Sequence, residues 1–249
     1  MDQFRLPPLL SDKQTVFLDL DNTIVYGCQH RCLCHQYQFS KKYDFKFKIT
    51  NIEGQTKKYY VCRRPGVDEF LEEISKKYEV VVFTSDSMQY ATRVLDALDP
   101  KGLISYRLYM DSCRKVDHGH VKDWSTTGRD LSKVVIVDDK HLSYSLQPEN
   151  GIPILPFAGD VRDRWLQKLT RFFQGCHWFG DTRDAVRQYF SGRSRVGFLR
   201  VLTVHWWAAA AVRQYPGWGR LGGFRGLPVC WWAVEVVAGV RMLRLKYTR

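Results

Sequence analysis

Short apolar, β-branched runs that stop abruptly at acids or hydroxyls constrain this chain more than any other feature of its sequence. Residues 15–20 (TVFLDL) lead into Asp19 and Asp21, residues 80–83 (VVVF) into Thr84-Ser85-Asp86, and residues 133–137 (KVVIV) into Asp138-Asp139. Runs of this length without polar alternation read as strands buried on both faces, as in a parallel sheet, with their ends delivering polar side chains to a crevice. Residues 104–109 and 152–155 read as two further strands, the second following the turn residues Asn150-Gly151. Between the strands lie helical patterns at 67–77, with Phe70, Leu71 and Ile74 on one face, and at 87–98; residues 162–174 and 182–189 read as closing helices. Alternation of strand and helix predicts an α/β fold with a doubly wound, mostly parallel sheet.

One stretch breaks the alternation. Residues 43–51 (YDFKFKITN) and 57–62 (KKYYVC) have a period near two around Glu53-Gly54, which predicts a β-hairpin inserted between the first strand and its helix and roofing the crevice. The expected organisation is an N-terminal extension over 1–14, one α/β domain over 15–191 with the hairpin insert at about 40–62, and a tail over 192–249. The tail is irregular, holds five of the eight tryptophans, and carries ten basic residues against one acid, Glu235. The formal charge of +12 is therefore mostly a property of the tail, and it bears on partners and solubility rather than on fold. Seven cysteines without a regular framework, and no secretory or transit-like start, point to a reducing compartment, nucleus or cytoplasm. No apolar run reaches the roughly 18 residues of a membrane-spanning helix.

The segment Asp19-Leu20-Asp21-Asn22-Thr23 puts two carboxylates at i and i+2 just past a buried strand. One carboxylate of such a pair can attack phosphorus while the other protonates the leaving oxygen and then activates water. Two acids this close repel when both are ionised, so a cation is expected, and hard oxygen ligands suit Mg²⁺. Asp138 and Asp139 can complete that site. A phosphate also needs donors, which the Thr84 hydroxyl, the start of the following helix and the Lys122 ammonium can supply.

These segments resemble the haloacid-dehalogenase superfamily, and within it the small phosphatases of the RNA polymerase II C-terminal domain, in plant-type form. The matching text is FLDLDNTIV (17–25), RRPGVDEFLE (63–72), YEVVVFTS (78–85), GLISYRLYMDSC (102–113), HVKDWSTTGRDLSKVVIVDD (120–139) and SLQPENGIPI (145–154), within a likeness over roughly 13–190. The resemblance implies Asp19 as nucleophile, Asp21 as general acid/base, and Thr84 and Lys122 as phosphate ligands. It further implies Mg²⁺ held by the Asp19 side chain, the Asp21 backbone carbonyl and Asp139, with Asp138 in support. The absence of a large cap implies phosphorylated protein segments as substrates and partners. Two positions depart from the pattern: Met110 stands where many relatives carry arginine, and Ser85-Asp86 replaces a more usual small pair. A mitochondrial translocase subunit shares the downstream text but commonly lacks the paired aspartates, so a silent peptide-binding or translocase-like module is the rival reading. A small-molecule phosphatase of the same superfamily would require a bulky lid.

The remaining features read more plainly. Cys28, His30, Cys32, Cys34 and His35 are zinc-ligand types, yet no second pair follows, so they read as loop residues. His118, His120 and His141 have no part in the chemistry above. Lysines 41, 42, 46, 48, 57 and 58 read as the solvated face of an edge ribbon, with electrostatic steering of an acidic phosphopeptide as the functional alternative. The tail reads as an appended stretch rather than a membrane-surface or single-stranded nucleic-acid module.

Overall fold

Strands buried on both faces need neighbours on both sides, and the apolar runs supply them to one another. The computed structural model describes residues 5–9, 11–29, 43–116 and 119–191. In chain order these form β1 (Gln14–Leu18), β2 (Val25–Cys28), β3 (Phe45–Thr50), β4 (Thr56–Arg63), α1 (Val67–Ser75), β5 (Tyr78–Phe83), α2 (Met88–Leu98) and β6 (Tyr106–Leu108). They continue with β7 (Arg114–Val116), β8 (Gly119–Val121), β9 (Val134–Asp138), β10 (Gly151–Pro153), α3 (Trp165–Cys176) and α4 (Thr182–Ser191). The tail, His118 and four members of the Cys/His cluster (His30, Cys32, Cys34 and His35) lie outside the described residues. Cys28 is buried beside Cys62 and Phe157.

The central sheet has the order β10-β9-β1-β5-β6, and its pairings are all parallel. Every residue of β1, β5 and β9 is buried. The chain runs outward from β1 through β5 to β6, then returns to the other side of β1 to form β9 and β10. That reversal makes the carboxyl end of β1 a topological switch point, where α/β sheets open a crevice. Aromatic packing fixes one layer: the Trp124 ring meets Phe17 and Phe83 edge-on at 5.9 and 5.8 Å.

The insert differs from the expected hairpin. β3 and β4 do pair, but β2 adds to the far side of β4, giving an antiparallel sheet in the order β2-β4-β3. β2 escapes a periodicity reading because it is four residues long with a glycine inside it. Among the described residues there is no cap larger than this sheet. Lys46, Lys48, Lys57 and Lys58 are exposed on it, and Lys48 lies directly opposite Lys58. β7 and β8 form a second feature that was not expected, a ribbon of three residues a side.

Arg64 ties the insert to the sheet. Fully buried, it grips both carboxylate oxygens of Asp163 (2.9 and 2.8 Å) and donates to the Thr23 and Leu155 carbonyls (both 2.9 Å). A guanidinium that is desolvated but fully hydrogen-bonded leaves a stranded buried charge if it is removed alone. Arg64→Met should therefore lower stability by about 3–5 kcal/mol in urea unfolding. Arg107→Met, which breaks only the partly exposed pair with Asp96, should leave the midpoint nearly unchanged.

Candidate active site

β1 ends at Leu18, and the next residues turn sharply because their backbone amides fold back on the strand end. The Thr23 and Ile24 amides both donate to the Leu20 carbonyl, and the Asn22 amide donates to the Val25 carbonyl at 2.7 Å. Asn22 adopts φ 64°, the left-handed conformation that asparagine tolerates better than most residues. The turn leaves Asp19 and Asp21 at the mouth of the switch point, Asp19 only 7% exposed.

Asp19 is held on both oxygens. Thr23 Oγ1 donates to Oδ2 at 3.2 Å and Lys122 Nζ donates to Oδ1 at 2.6 Å. The same ammonium donates to Asp138 Oδ2 at 2.6 Å, so Lys122 bridges the exits of β1 and β9. Burial opposes its charge, but Asp138 and Asp19 outweigh that cost and hold the ammonium above its ordinary range. Lys122 reaches this position because β8 precedes it, its amide donates to the Ser143 carbonyl at 2.9 Å, and Trp124 anchors the segment in the core.

Asp19, Asp138 and Asp139 each present an oxygen within 4.8 Å of the others. One buried ammonium among three carboxylates leaves negative charge in excess. Burial, and then Asp19, push the Asp138 carboxyl up to about 6, and the same two causes with Asp138 added push Asp139 up to about 7. Asp139 Oδ1 is buried with no hydrogen-bond partner. An orphaned carboxylate oxygen in an all-oxygen, over-acidic cluster fits a hard divalent cation.

Asp21 faces another way. Tyr90 Oη donates to its Oδ1 at 2.9 Å, and it shares a hydrogen bond with the Asp86 carboxyl. Burial first, then Asp86, raise Asp21 well above the usual carboxylate range. Thr84 is buried at the end of β5, and its hydroxyl donates to Asp86 Oδ2 at 2.9 Å. Ser87 caps α2, its side chain accepting from the Tyr90 amide.

The six residues singled out in the sequence thus fall into two connected groups. Asp19, Lys122, Asp138 and Asp139 form one, while Asp21 and Thr84 meet through Asp86. Asp86 and Tyr90 are the members that sequence reasoning missed. Asp86 was visible only as a departure in the text after Thr84, and Tyr90 looks like a core residue of α2. The two departures also adjoin, since the Met110 amide donates to the Asp86 carbonyl at 3.0 Å. Tyr90 is positioned by the insert: its ring lies 5.9 Å from Phe47 and 5.0 Å from Tyr59. Gly27 in β2 leaves the necessary space, because a Cβ there would come within 1.9 Å of the Tyr90 hydroxyl oxygen and 3.0 Å of Asp21 Oδ1. His120 and His141 make no contact to these carboxylates, and His141 instead packs on Tyr144 at 4.9 Å between ring centroids.

A sequence profile of the NLI interacting factor-like phosphatase family matches residues 14–187. The chain is 37% identical over 187 residues to a Dictyostelium discoideum protein named CTD small phosphatase-like protein 2, covering 74% of this chain and 31% of that one. It is 41% identical over 157 residues to a probable C-terminal domain small phosphatase of the same organism, covering 63% of this chain and 48% of the relative. A human CTD small phosphatase-like protein is 37% identical over 163 residues, 66% of this chain and 56% of its own. The chain thus spans about half or less of the length of these relatives. Among solved structures, Fcp1, described as an essential RNA polymerase II CTD phosphatase, superposes with a TM-score of 0.56 at 20% identity over 66% of this chain and 62% of its own, a likeness of fold. With the profile covering the whole sheet and every residue of the candidate site, the chain belongs to the NLI interacting factor-like phosphatase family.

Proposed function

We propose that the chain is a Mg²⁺-dependent protein serine/threonine phosphatase that works through an aspartyl-phosphate on Asp19. The observation that carries this reading is the contrast between Asp19, paired with the buried Lys122 ammonium, and Asp21, two residues away, whose carboxyl is raised well above the ordinary range by burial and Asp86. A nucleophile and an acid of the same residue type need environments that push them apart, and here the environments differ in that sense.

In the first step an Asp19 carboxylate oxygen attacks phosphorus, and the P–O bond to serine or threonine breaks. The Asp21 proton moves to the departing oxygen, so the alcohol leaves neutral. In the second step the Asp21 carboxylate takes a proton from water as its oxygen attacks phosphorus. The acyl-phosphate bond then breaks, and Asp19 and inorganic phosphate are restored. Lys122 and the Thr84 hydroxyl supply donors to the phosphoryl oxygens, Thr84 after exchanging its bond to Asp86. Asp19, Asp139 and the Asp21 backbone carbonyl, with Asp138 behind them, would hold Mg²⁺. When bound, the ion neutralises charge on the phosphoryl group and on the carboxylates.

A crevice roofed only by the three-stranded sheet suits a phosphorylated protein segment, and the exposed lysines of β3 and β4 suit an acidic one. The relatives' names make phosphoserines of the RNA polymerase II C-terminal domain, or similar sequences, the first substrates to try, with a nuclear or cytoplasmic site of action.

Hydrolysis of an aryl phosphate and of a phosphoserine heptad peptide should require Mg²⁺ and cease in chelator. Asp19→Asn should lower turnover by at least about a thousandfold, and Asp21→Asn by about 10²–10⁴. Retained turnover in a folded Asp19→Asn protein would overturn the mechanism, and an inert, folded, Mg²⁺-loaded wild type would favour a binding module. The acidic cluster also predicts a pH dependence of stability in chelator. Asp138 and Asp139 keep their protons to about 6 and about 7 when folded, against an ordinary 3.8, so the folded state binds more protons across this window. Stability should then fall as pH rises from about 4 to about 7. Urea unfolding should show that slope, Mg²⁺ should remove most of it and Asp139→Asn should flatten it; a rise in stability over the same range would contradict the assignment.

A further inference from the structure

The Thr84 hydroxyl carries one proton, and that proton is already engaged. Thr84 Oγ1 donates to Asp86 Oδ2 at 2.9 Å and accepts from the Asp86 amide at 3.1 Å, which closes a ring between the two residues. A phosphoryl oxygen can take the proton only when Asp86 gives it up. Asp86 then stays beside the phosphate, because its backbone is fixed: its carbonyl accepts from the Met110 amide at 3.0 Å, and the next residue, Ser87, caps α2.

The chain supplies this carboxylate with no counterion. Among the described residues no lysine or arginine forms an ion pair with Asp86. Lys122, the buried ammonium of the site, is engaged by Asp19 and Asp138. Met110 is exposed and uncharged, and Asp111 after it is an exposed acid. Asp86 itself is half-buried. Burial, with Asp86 among the charges that add to it, raises the proton affinities of Asp21, Tyr90 and Cys113, so its charge reaches across this wall of the cleft. A partly desolvated carboxylate beside a phosphate-binding hydroxyl repels the phosphate unless a cation accompanies it.

We infer that Asp86 is a specificity-determining residue, selecting phosphosites flanked by lysine or arginine over those with neutral or acidic flanks. The basic side chain of the substrate pairs with the Asp86 carboxylate, and the Thr84 hydroxyl is released to donate to the phosphoryl oxygens. A neutral flank leaves Asp86 unpaired beside the phosphate, and an acidic flank adds a further repulsion. The exposed lysines of β3 and β4 belong to the insert and make no ion pair with Asp86, so the two charge preferences apply to different parts of the bound segment. This selectivity rests on reading the site as one for phosphoserine and phosphothreonine.

The test measures Mg²⁺-dependent turnover by the full chain on an aryl phosphate and on phosphoserine peptides alike except for arginine, alanine or glutamate on both sides of the phosphoserine. The arginine peptide should exceed the alanine peptide in kcat/KM by about tenfold, and the glutamate peptide by more, as a charge-assisted contact is made or lost. Asp86→Asn keeps an acceptor for Thr84 without the charge, and there the arginine-to-alanine ratio should fall below about threefold; Asp86→Ser should give the same result. A disturbance of Asp21 or of folding acts on all the peptides alike and leaves that ratio where it was. Affinities of the same peptides with a non-hydrolysable phosphonate in place of the phosphate, read by fluorescence anisotropy, should follow the same order. If no substrate is turned over and that order of affinities is kept, the phosphatase reading fails and the selectivity stands. Turnover of the aryl phosphate without preference among the peptides would overturn the selectivity and leave the phosphatase reading. Equal affinity for the arginine and alanine peptides, or a preference retained in both folded Asp86 variants, would overturn it as well.

Discussion

Three carboxylates crowd the carboxyl end of a parallel sheet here, and a single buried ammonium makes that arrangement tenable. Lys122 sits 2.6 Å from Asp19 on β1's exit and 2.6 Å from Asp138 at the end of β9. Without it, burial and mutual repulsion among the three carboxylates would go uncompensated. Its position depends on distant packing. Lys122 comes from a segment between the β7–β8 ribbon and Trp124, and it is the wedging of Trp124 between Phe17 and Phe83 that commits the segment to the core. A hydrophobic contact thereby sets an electrostatic one.

Asp139 is left with an orphaned oxygen, and burial, then Asp19 and Asp138, raise its proton affinity. Asp21 avoids the cluster by turning toward Tyr90 and Asp86. The two carboxylates of the Asp-x-Asp pair therefore occupy different environments although they are two residues apart, and the sharp turn at Asn22 is what allows it. Arg64 holds that turn from behind through the Thr23 carbonyl, and Gly27 leaves room for the Tyr90 hydroxyl in front. The small antiparallel sheet is thus more than a roof, because its aromatic residues fix the side chain that orients Asp21. The sheet's ends also differ in sign, with acids gathered where the strands finish and lysines where they begin.

Much of this was legible beforehand. β1, β5 and β9 are read directly from their apolar runs, because a strand covered on both faces tolerates few polar side chains. Asp19, Asp21, Thr84, Asp138 and Asp139 follow, since each ends or closely follows one of those runs. β2 and the strands of the β7–β8 ribbon are too short to show a period, and so the insert reads as a hairpin. Asp86 and Tyr90 gave no local signal of their part, for an acid after a strand and a tyrosine on a helix have many ordinary uses.

The sequence by itself determined the parallel α/β core and the chemical inventory at its strand ends, because burial periodicity and strand exits are local properties of the chain. Only the tertiary structure decided which acid meets a buried ammonium and which has its proton affinity raised. That distinction depends on Lys122, 103 residues from Asp19, and on the burial and the Asp86 carboxyl that raise Asp21 against the lowering hydrogen bond from Tyr90, 69 residues away, and proton affinity responds to neighbours in space rather than in sequence.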